Sequence, residues 1–230
     1  SQQHRANLKI GLPGKIMDKV DVIAIQETHG DSGDSAALSR IFPGWSFLES
    51  TAEGMVGGGT IIAIRRSFGA RFAHIVHTTI VPGRVHAVAL IERTGQQLVF
   101  VNLHISPSLG HSEIGLLLRG IARYVSSHSH KAAVFIMGDF NYLEADDARY
   151  HASTGKFTHD SNTLPLMFHD AFPEFKELAQ PDFTRAGVLR DLGLEVFSRI
   201  DRVYCNLPPS QLLDCDLAAG VWSTAVSIFK

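Results

Sequence analysis

The chain has 230 residues, 45% of them apolar, with a formal net charge of −2 and a pI near 6.6. That length suits one domain with a large core. No apolar run approaches the roughly 18 residues of a membrane span, and Ser1-Gln2-Gln3-His4-Arg5 opens no apolar signal region. A protein that coats nucleic acid non-specifically is usually basic, so the charge argues against that class while leaving room for an enzyme with a local basic groove.

Arginine outnumbers lysine 14 to 7, which suits phosphate oxygens and equally reflects a codon bias. Cys205 and Cys215 flank Pro208-Pro209. They could pair, but two thiols in a chain this long point to reduced residues of an intracellular protein, nuclear or cytoplasmic. Their spacing does not make a zinc site.

In chain order, Val20 to Gln26 predicts a buried strand, and Gly59 to Ile64 another, entered through Gly57-Gly58-Gly59. Arg71 to Thr79, Val85 to Glu92 and Gln97 to His104 read as strands joined by turns at Pro82-Gly83 and Thr94-Gly95. Ser112 to Ser129 is a helix with Ile114, Leu117, Leu118, Ile121 and Val125 on one face. Ala133 to Met137 is a strand. Glu144 to Asp191 reads as loop-rich and helix-rich, and Val196 to Cys205 as one strand. Short strands joined by turns, with few helices between them, predict an α/β protein in which two mixed sheets pack face to face with helices outside.

Several polar residues stand where buried strands end. Glu27 follows Asp21-Val22-Ile23-Ala24-Ile25-Gln26; a carboxylate there is rigidly placed, and Mg²⁺ takes one or two such carboxylates and keeps waters. A solubilising acid at a strand end is the plainer alternative. His104 ends Leu98-Val99-Phe100-Val101-Asn102-Leu103 and could donate a proton or bind a phosphate oxygen, or be merely one of the 12 histidines. Gly138-Asp139-Phe140-Asn141 closes an apolar strand. If the chain stays extended there, Asp139 and Asn141 project to one side and address one ligand. Asp201, in Ser198-Arg199-Ile200-Asp201-Arg202, either pairs with Arg199 or Arg202 or orients a catalytic group. Gly57-Gly58-Gly59 lacks the lysine and the following helix of a phosphate loop, so it is a loop entering a strand.

In order, Val22-Ile23-Ala24-Ile25-Gln26-Glu27-Thr28, Val101-Asn102-Leu103-His104-Ile105-Ser106-Pro107, Gly138-Asp139-Phe140-Asn141 and Ser198-Arg199-Ile200-Asp201 resemble the endonuclease/exonuclease/phosphatase superfamily. The resemblance runs from Val20 to about Asn206. Gln26-Glu27-Thr28-His29, with Gly57-Gly58-Gly59 and Ser198-Arg199-Ile200-Asp201, is most similar to the endonuclease domains of LINE-type retrotransposons.

The resemblance implies a four-layer α/β sandwich. It implies a phosphodiesterase that uses Mg²⁺, or Mn²⁺ in its place, and most simply one that nicks DNA. Glu27 would hold the metal, Asp139 orient or deprotonate the attacking water, and Asn141 bind the scissile phosphate. His104 would lie against the phosphate or leaving group, with Asp201 in the same pocket and Arg84 as a further phosphate contact. The domain would be monomeric, without membrane attachment, and fused to a reverse transcriptase in the full-length protein. A phosphatase acting on inositol phosphates or sphingolipids, or a degenerate nucleic-acid-binding module, are the alternatives.

Two parts of the pattern are missing. The superfamily opens with a strand ending in Asn some 25 to 30 residues before the metal-binding Glu, whereas Asn7 stands 20 residues before Glu27 and is expected in or near a first helix. It closes with Ser-Asp-His, absent before Lys230. The expectation is therefore a single domain over residues 1–230 lacking its first strand and its C-terminal Ser-Asp-His segment.

Overall fold

The computed structural model describes residues 17, 20–29, 33–51, 58–128, 132–159, 163–178, 184–189, 194–212, 217–219 and 226–229. Asn7 and Cys215 lie outside these residues, so the expectations placed on them do too.

Two sheets form the body. The first runs in the order β14 (Leu217–Ala219), β15 (Val226–Phe229), β1 (Val22–Gln26), β3 (Thr60–Arg65) and β2 (Trp45–Ser50). Its described pairings are all antiparallel. The second runs β10 (Lys176–Glu177), β13 (Asp201–Cys205), β7 (Ala133–Asp139), β6 (Gln97–His104), β5 (Val85–Ile91) and β4 (His74–Val81). It is mixed through one parallel pair, β6 with β7, which are joined by a helix as parallel neighbours require. Among the described residues, helices α1 (Asp34–Ile41), α2 (Arg66–Gly69), α3 (His111–Ser126) and α4 (Leu164–Ala171) flank the sheets. Among the described residues no helix is long and apolar enough to cross a membrane.

Three apolar clusters separate four layers. Between the sheets lie Val22, Ala24, Ile62 and Ile64 from the first, facing Val88, Leu90, Phe100, Phe135, Met137 and Val203 from the second. Phe100 and Phe135 stack there at 5.6 Å, a geometry that adds about 1 kcal/mol to plain burial. Ile114, Leu117, Leu118 and Ile121 of α3, with Phe168 of α4, cover the outer face of the second sheet. Leu38 of α1 and Phe42 pack against Trp45, Phe47, Ile23 and Ala63 on the outer face of the first. The α/β sandwich expected from the strand pattern is the fold observed, except that one of the two sheets expected to be mixed is antiparallel in its described pairings.

The region between β7 and β13 departs from expectation. In place of a loop-rich and helix-rich stretch, its described residues contain one helix, α4, and a third, four-stranded sheet, ordered β11 (Arg185–Leu189), β12 (Leu194–Ser198), β8 (Arg149–His151) and β9 (Lys156–Thr158). Strands of three to five residues are too short to show a two-residue period. Nor is Val196 to Cys205 one strand. The chain leaves β12 at Ser198 and enters β13 at Asp201, crossing from the small sheet to the large one. The backbone N–H groups of Ile200 and Asp201 both donate to Thr184 Oγ1, at 3.0 and 2.9 Å, so a side chain replaces ladder partners at the break.

Candidate active site

Register places four of the expected residues in one row. In the parallel pairing His104 is level with Asp139, and in the antiparallel pairing Asp139 is level with Asp201. Arg84, just before β5, accepts the His104 N–H on its carbonyl at 2.8 Å. Arg84, His104, Asp139 and Asp201 thus line the end of four neighbouring strands in the second sheet. All four are buried, His104 and Asp201 to 1% and 2% exposure.

Glu27 reaches the row from the other sheet. Its Oε1 lies 3.4 Å from His104 Nε2, and its side chain is 45% exposed. One edge of the carboxylate therefore meets the row and the other meets solvent. Glu27 has φ 52°, His29 φ 47° and Asn141 φ 52°. These are the left-handed non-glycine residues among the described residues, and left-handed backbone is sparsely populated by L-residues and concentrates where function demands it. Here the strain stands at both ends of the proposed site. The segment after Glu27 is braced by Gly58 and Gly59, whose carbonyls accept the N–H groups of His29 and Thr28 at 3.0 and 3.1 Å. Gly58-Gly59 is thus a loop entering β3, as read from the sequence; Gly57 lies outside the described residues.

Asn141 is not placed by strand alternation. The chain turns left-handed at Asn141, and Asp139 Oδ1 accepts the Asn141 N–H at 2.9 Å, a side-chain-closed turn that Asp and Asn favour. Asn141 Nδ2 donates to the Ile105 carbonyl at 2.8 Å, which seats the amide against the strand end that carries His104. Gly138 is required just before: its φ is +143°, and a Cβ there would collide with the Leu103 carbonyl. Only glycine lets β7 approach β6 this closely.

Of the two readings of Asp201, the described contacts of its neighbouring arginines favour the one that leaves it in the row. Arg199 and Arg202 bind Asp147 and Glu177. Arg199 meets Asp147 at 2.8 Å and Glu177 at 2.9 Å, and Arg202 meets Glu177 at 2.7 Å and also Asp147. This cluster ties the loop after Asn141 to β13. Burial alone would raise the Asp147 carboxyl, but hydrogen bonds from Arg202 and Arg199 hold it below the usual range. Both arginines are engaged there, and Asp201 stands level with Asp139 in the row.

Arg84 works on His104. Its Nη1 lies 3.0 Å from His104 Nδ1. Burial lowers the Arg84 pKa, with the Glu27 carboxylate pulling the other way.

A buried polar layer, unforeseen in the sequence reading, joins the sheets behind the row. Asn102 Nδ2 donates to the carbonyls of Ile25 (3.0 Å) and Ile61 (2.9 Å), and Asn102 Oδ1 accepts from Gln26 Nε2 at 2.5 Å. His86 Nδ1 lies 2.7 Å from Thr60 Oγ1, and the Gly83 N–H donates to Ser50 Oγ at 3.0 Å. The available signal was a polar residue inside the apolar run Val99-Phe100-Val101-Asn102-Leu103, since a buried amide is kept only with its partners supplied.

The donor set suits a hard cation. Among the described residues, no group of three or more His, Cys, Asp and Glu closes on one point, unlike the cage of a structural zinc. A half-exposed carboxylate such as Glu27 fits an ion that keeps waters and shares its coordination with a substrate phosphate.

Residues 3–215 match the model of the Endonuclease/Exonuclease/phosphatase family. No curated protein matches the chain. Among solved structures, an AP endonuclease from Archaeoglobus fulgidus superposes with a TM-score of 0.63 at 15% identity, covering 98% of this chain and 95% of that one. TDP2 from D. rerio, complexed with single-strand DNA product, does so with a TM-score of 0.61 at 16% identity, covering 98% and 92%. An endonuclease/exonuclease/phosphatase family protein from Leptotrichia buccalis gives 0.59 at 13% identity, covering 100% and 94%. At such identities the likeness is one of fold. With the family model spanning nearly the whole sequence and the sandwich shared, the chain belongs to the endonuclease/exonuclease/phosphatase family.

Proposed function

We propose that this chain is a divalent-metal-dependent phosphodiesterase that cleaves DNA, a nicking endonuclease of the LINE retrotransposon type. The observation that carries the reading is the level row Arg84, His104, Asp139 and Asp201 with Glu27 entering it from the opposite sheet. Two similar folds belong to an AP endonuclease and to a TDP2 complexed with single-strand DNA, which supports DNA as the substrate. The retrotransposon assignment rests on the Gln26-Glu27-Thr28-His29 and Ser198-Arg199-Ile200-Asp201 motifs.

Glu27 would hold Mg²⁺ together with the substrate phosphate. A bound divalent ion supplies neutralisation of the charge that develops on phosphoryl oxygens. Asp139, its backbone held by the Ile105 N–H at 2.9 Å, orients the attacking water and takes its proton. Asp201 beside it keeps that end of the row acidic. His104 donates its Nε2–H toward the phosphate, and Asn141 binds a non-bridging oxygen. Fixed donors of this kind are typically worth about 3 kcal/mol each at a developing oxyanion.

Supercoiled plasmid incubated with Mg²⁺ should be nicked by the wild type, and should stay intact in EDTA or with Asp139→Ala. Equal nicking by Asp139→Ala removes the assignment.

A further inference from the structure

The small sheet carries a row of aromatic rings. Phe157 on β9 is level with Tyr150 on β8, and Tyr150 is level with Phe197 on β12. Level residues on neighbouring strands share a face, and the rings are in contact: Phe157 to Tyr150 at 5.1 Å and Tyr150 to Phe197 at 6.3 Å. The row ends in the open. Phe157 is 59% exposed, on the edge strand. An exposed phenylalanine there gains little from burial, so a polar residue would serve the sheet as well.

The position matters as much as the chemistry. The small sheet is inserted between β7 and β13, the strands that deliver Asp139 and Asp201, and β12 ends only two residues before β13 begins. The aromatic row therefore stands on a support anchored at the rim of the candidate site. Charge orients what could lie there. At the exposed β9 edge Lys156, level with His151, stands on the face opposite to Phe157, so a polyanion meets it only by crossing that edge, while Glu195 shares a face with Phe197 on β12. A polyanion crossing this sheet is drawn to the β9 edge and repelled from β12.

We infer that Phe157, with Tyr150 and Phe197 behind it, is a stacking platform for an unpaired base of a DNA strand whose phosphate lies in the candidate active site. Lys156 meets the backbone of that strand where it crosses the β9 edge. The inference rests on the phosphodiesterase reading for the position of the phosphate, but not for the stacking itself. Flat rings stack on any base, and alanine substitution of such a ring typically weakens single-strand binding about tenfold.

The test measures binding in EDTA, where no strand is cut. One probe is a fluorescein-labelled oligothymidylate of twelve nucleotides; the other is an abasic phosphate chain of equal length and charge. The wild type should prefer the oligothymidylate. Phe157→Ala should lose about tenfold on it and nothing on the abasic chain, and Phe157→Trp should retain the preference. Unchanged binding by Phe157→Ala, with only a lower melting temperature, overturns the platform and leaves a ladder that merely stabilises the sheet. Equal losses on both probes overturn it as well. Plasmid nicking in Mg²⁺ separates the two readings. Absent nicking with the base preference intact sinks the hydrolase and spares the platform; nicking with no base preference does the reverse.

Discussion

Arg84 Nη1 lies 3.0 Å from His104 Nδ1, and this contact sets the tautomer of the imidazole. A guanidinium donates and never accepts, so Nδ1 must be the acceptor and the neutral ring carries its proton on Nε2. That proton points toward Glu27 and the open end of the row. His104 is thereby a hydrogen-bond donor to what binds there, and Arg84 acts through it as a positioning residue. In Arg84→Met the ring is released. Nitrogen-15 NMR of the imidazole should then show a mixture of tautomers in place of the Nε2–H form, and nicking should fall about 10- to 100-fold, as when other supporting partners are removed. A single Nε2–H tautomer in the variant contradicts this account.

Asp139 and Asp201 should behave as one unit. Each sits level with the other across β7 and β13. Asp139→Asn and Asp201→Asn should each lower the nicking rate by about 100-fold or more. Because they serve one step, the double variant should be little worse than the weaker single one. Strict multiplication of the two losses in single-turnover rates shows independent roles.

His86 makes the fold sensitive to acid. Burial, helped by the neighbouring His77, drives its pKa down to about 3. The unfolded residue titrates near 6.5. Above about pH 6.5 both states are neutral and the stability is complete. As the pH falls toward about 3 the unfolded chain binds a proton that the native state refuses, so stability is lost across that window. The slope from this residue reaches at most about 1.4 kcal/mol per pH unit. Urea midpoints between pH 7 and pH 5 should drop for the wild type and drop less for His86→Gln. The same decline in both would show that His86 titrates normally.

Asn102 should matter for stability far more than a polar residue usually does. Asn102→Leu removes both donors to the Ile25 and Ile61 carbonyls and leaves the Gln26 amide unanswered. Unsatisfied buried groups cost about 1–3 kcal/mol each, so a loss of about 3 kcal/mol is expected. Urea unfolding should show a lower midpoint at an unchanged slope. A midpoint within error of wild type would mean that the staple carries no net energy.

How much of this was legible beforehand depends on the range of the physics involved. The strands Val22–Gln26, Thr60–Arg65, Val85–Ile91, Gln97–His104 and Ala133–Asp139, and the face of the helix His111–Ser126, announce themselves through local apolar patterning. So do the motif residues at their ends, because a buried strand must surface somewhere and polar residues mark the place. The split at Arg199-Ile200 and the small sheet did not announce themselves. Both depend on partners far along the chain: Thr184 for the backbone at the break, and Asp147 and Glu177 for the two arginines. The position of Asn141 was misjudged in mechanism, since alternation along a strand cannot foresee a carboxylate that folds the chain back on itself.

The order of short polar motifs along the polymer was enough to indicate the family. Their convergence was decided only by tertiary structure. Strand register brings His104, Asp139 and Asp201 level, and the packing of one sheet on another brings Glu27 to them. The tautomer of His104 and the pKa of His86 belong to that second level too. The first is set by a contact of 3.0 Å between residues 20 positions apart and the second by burial, and both exist only once the chain has closed on itself.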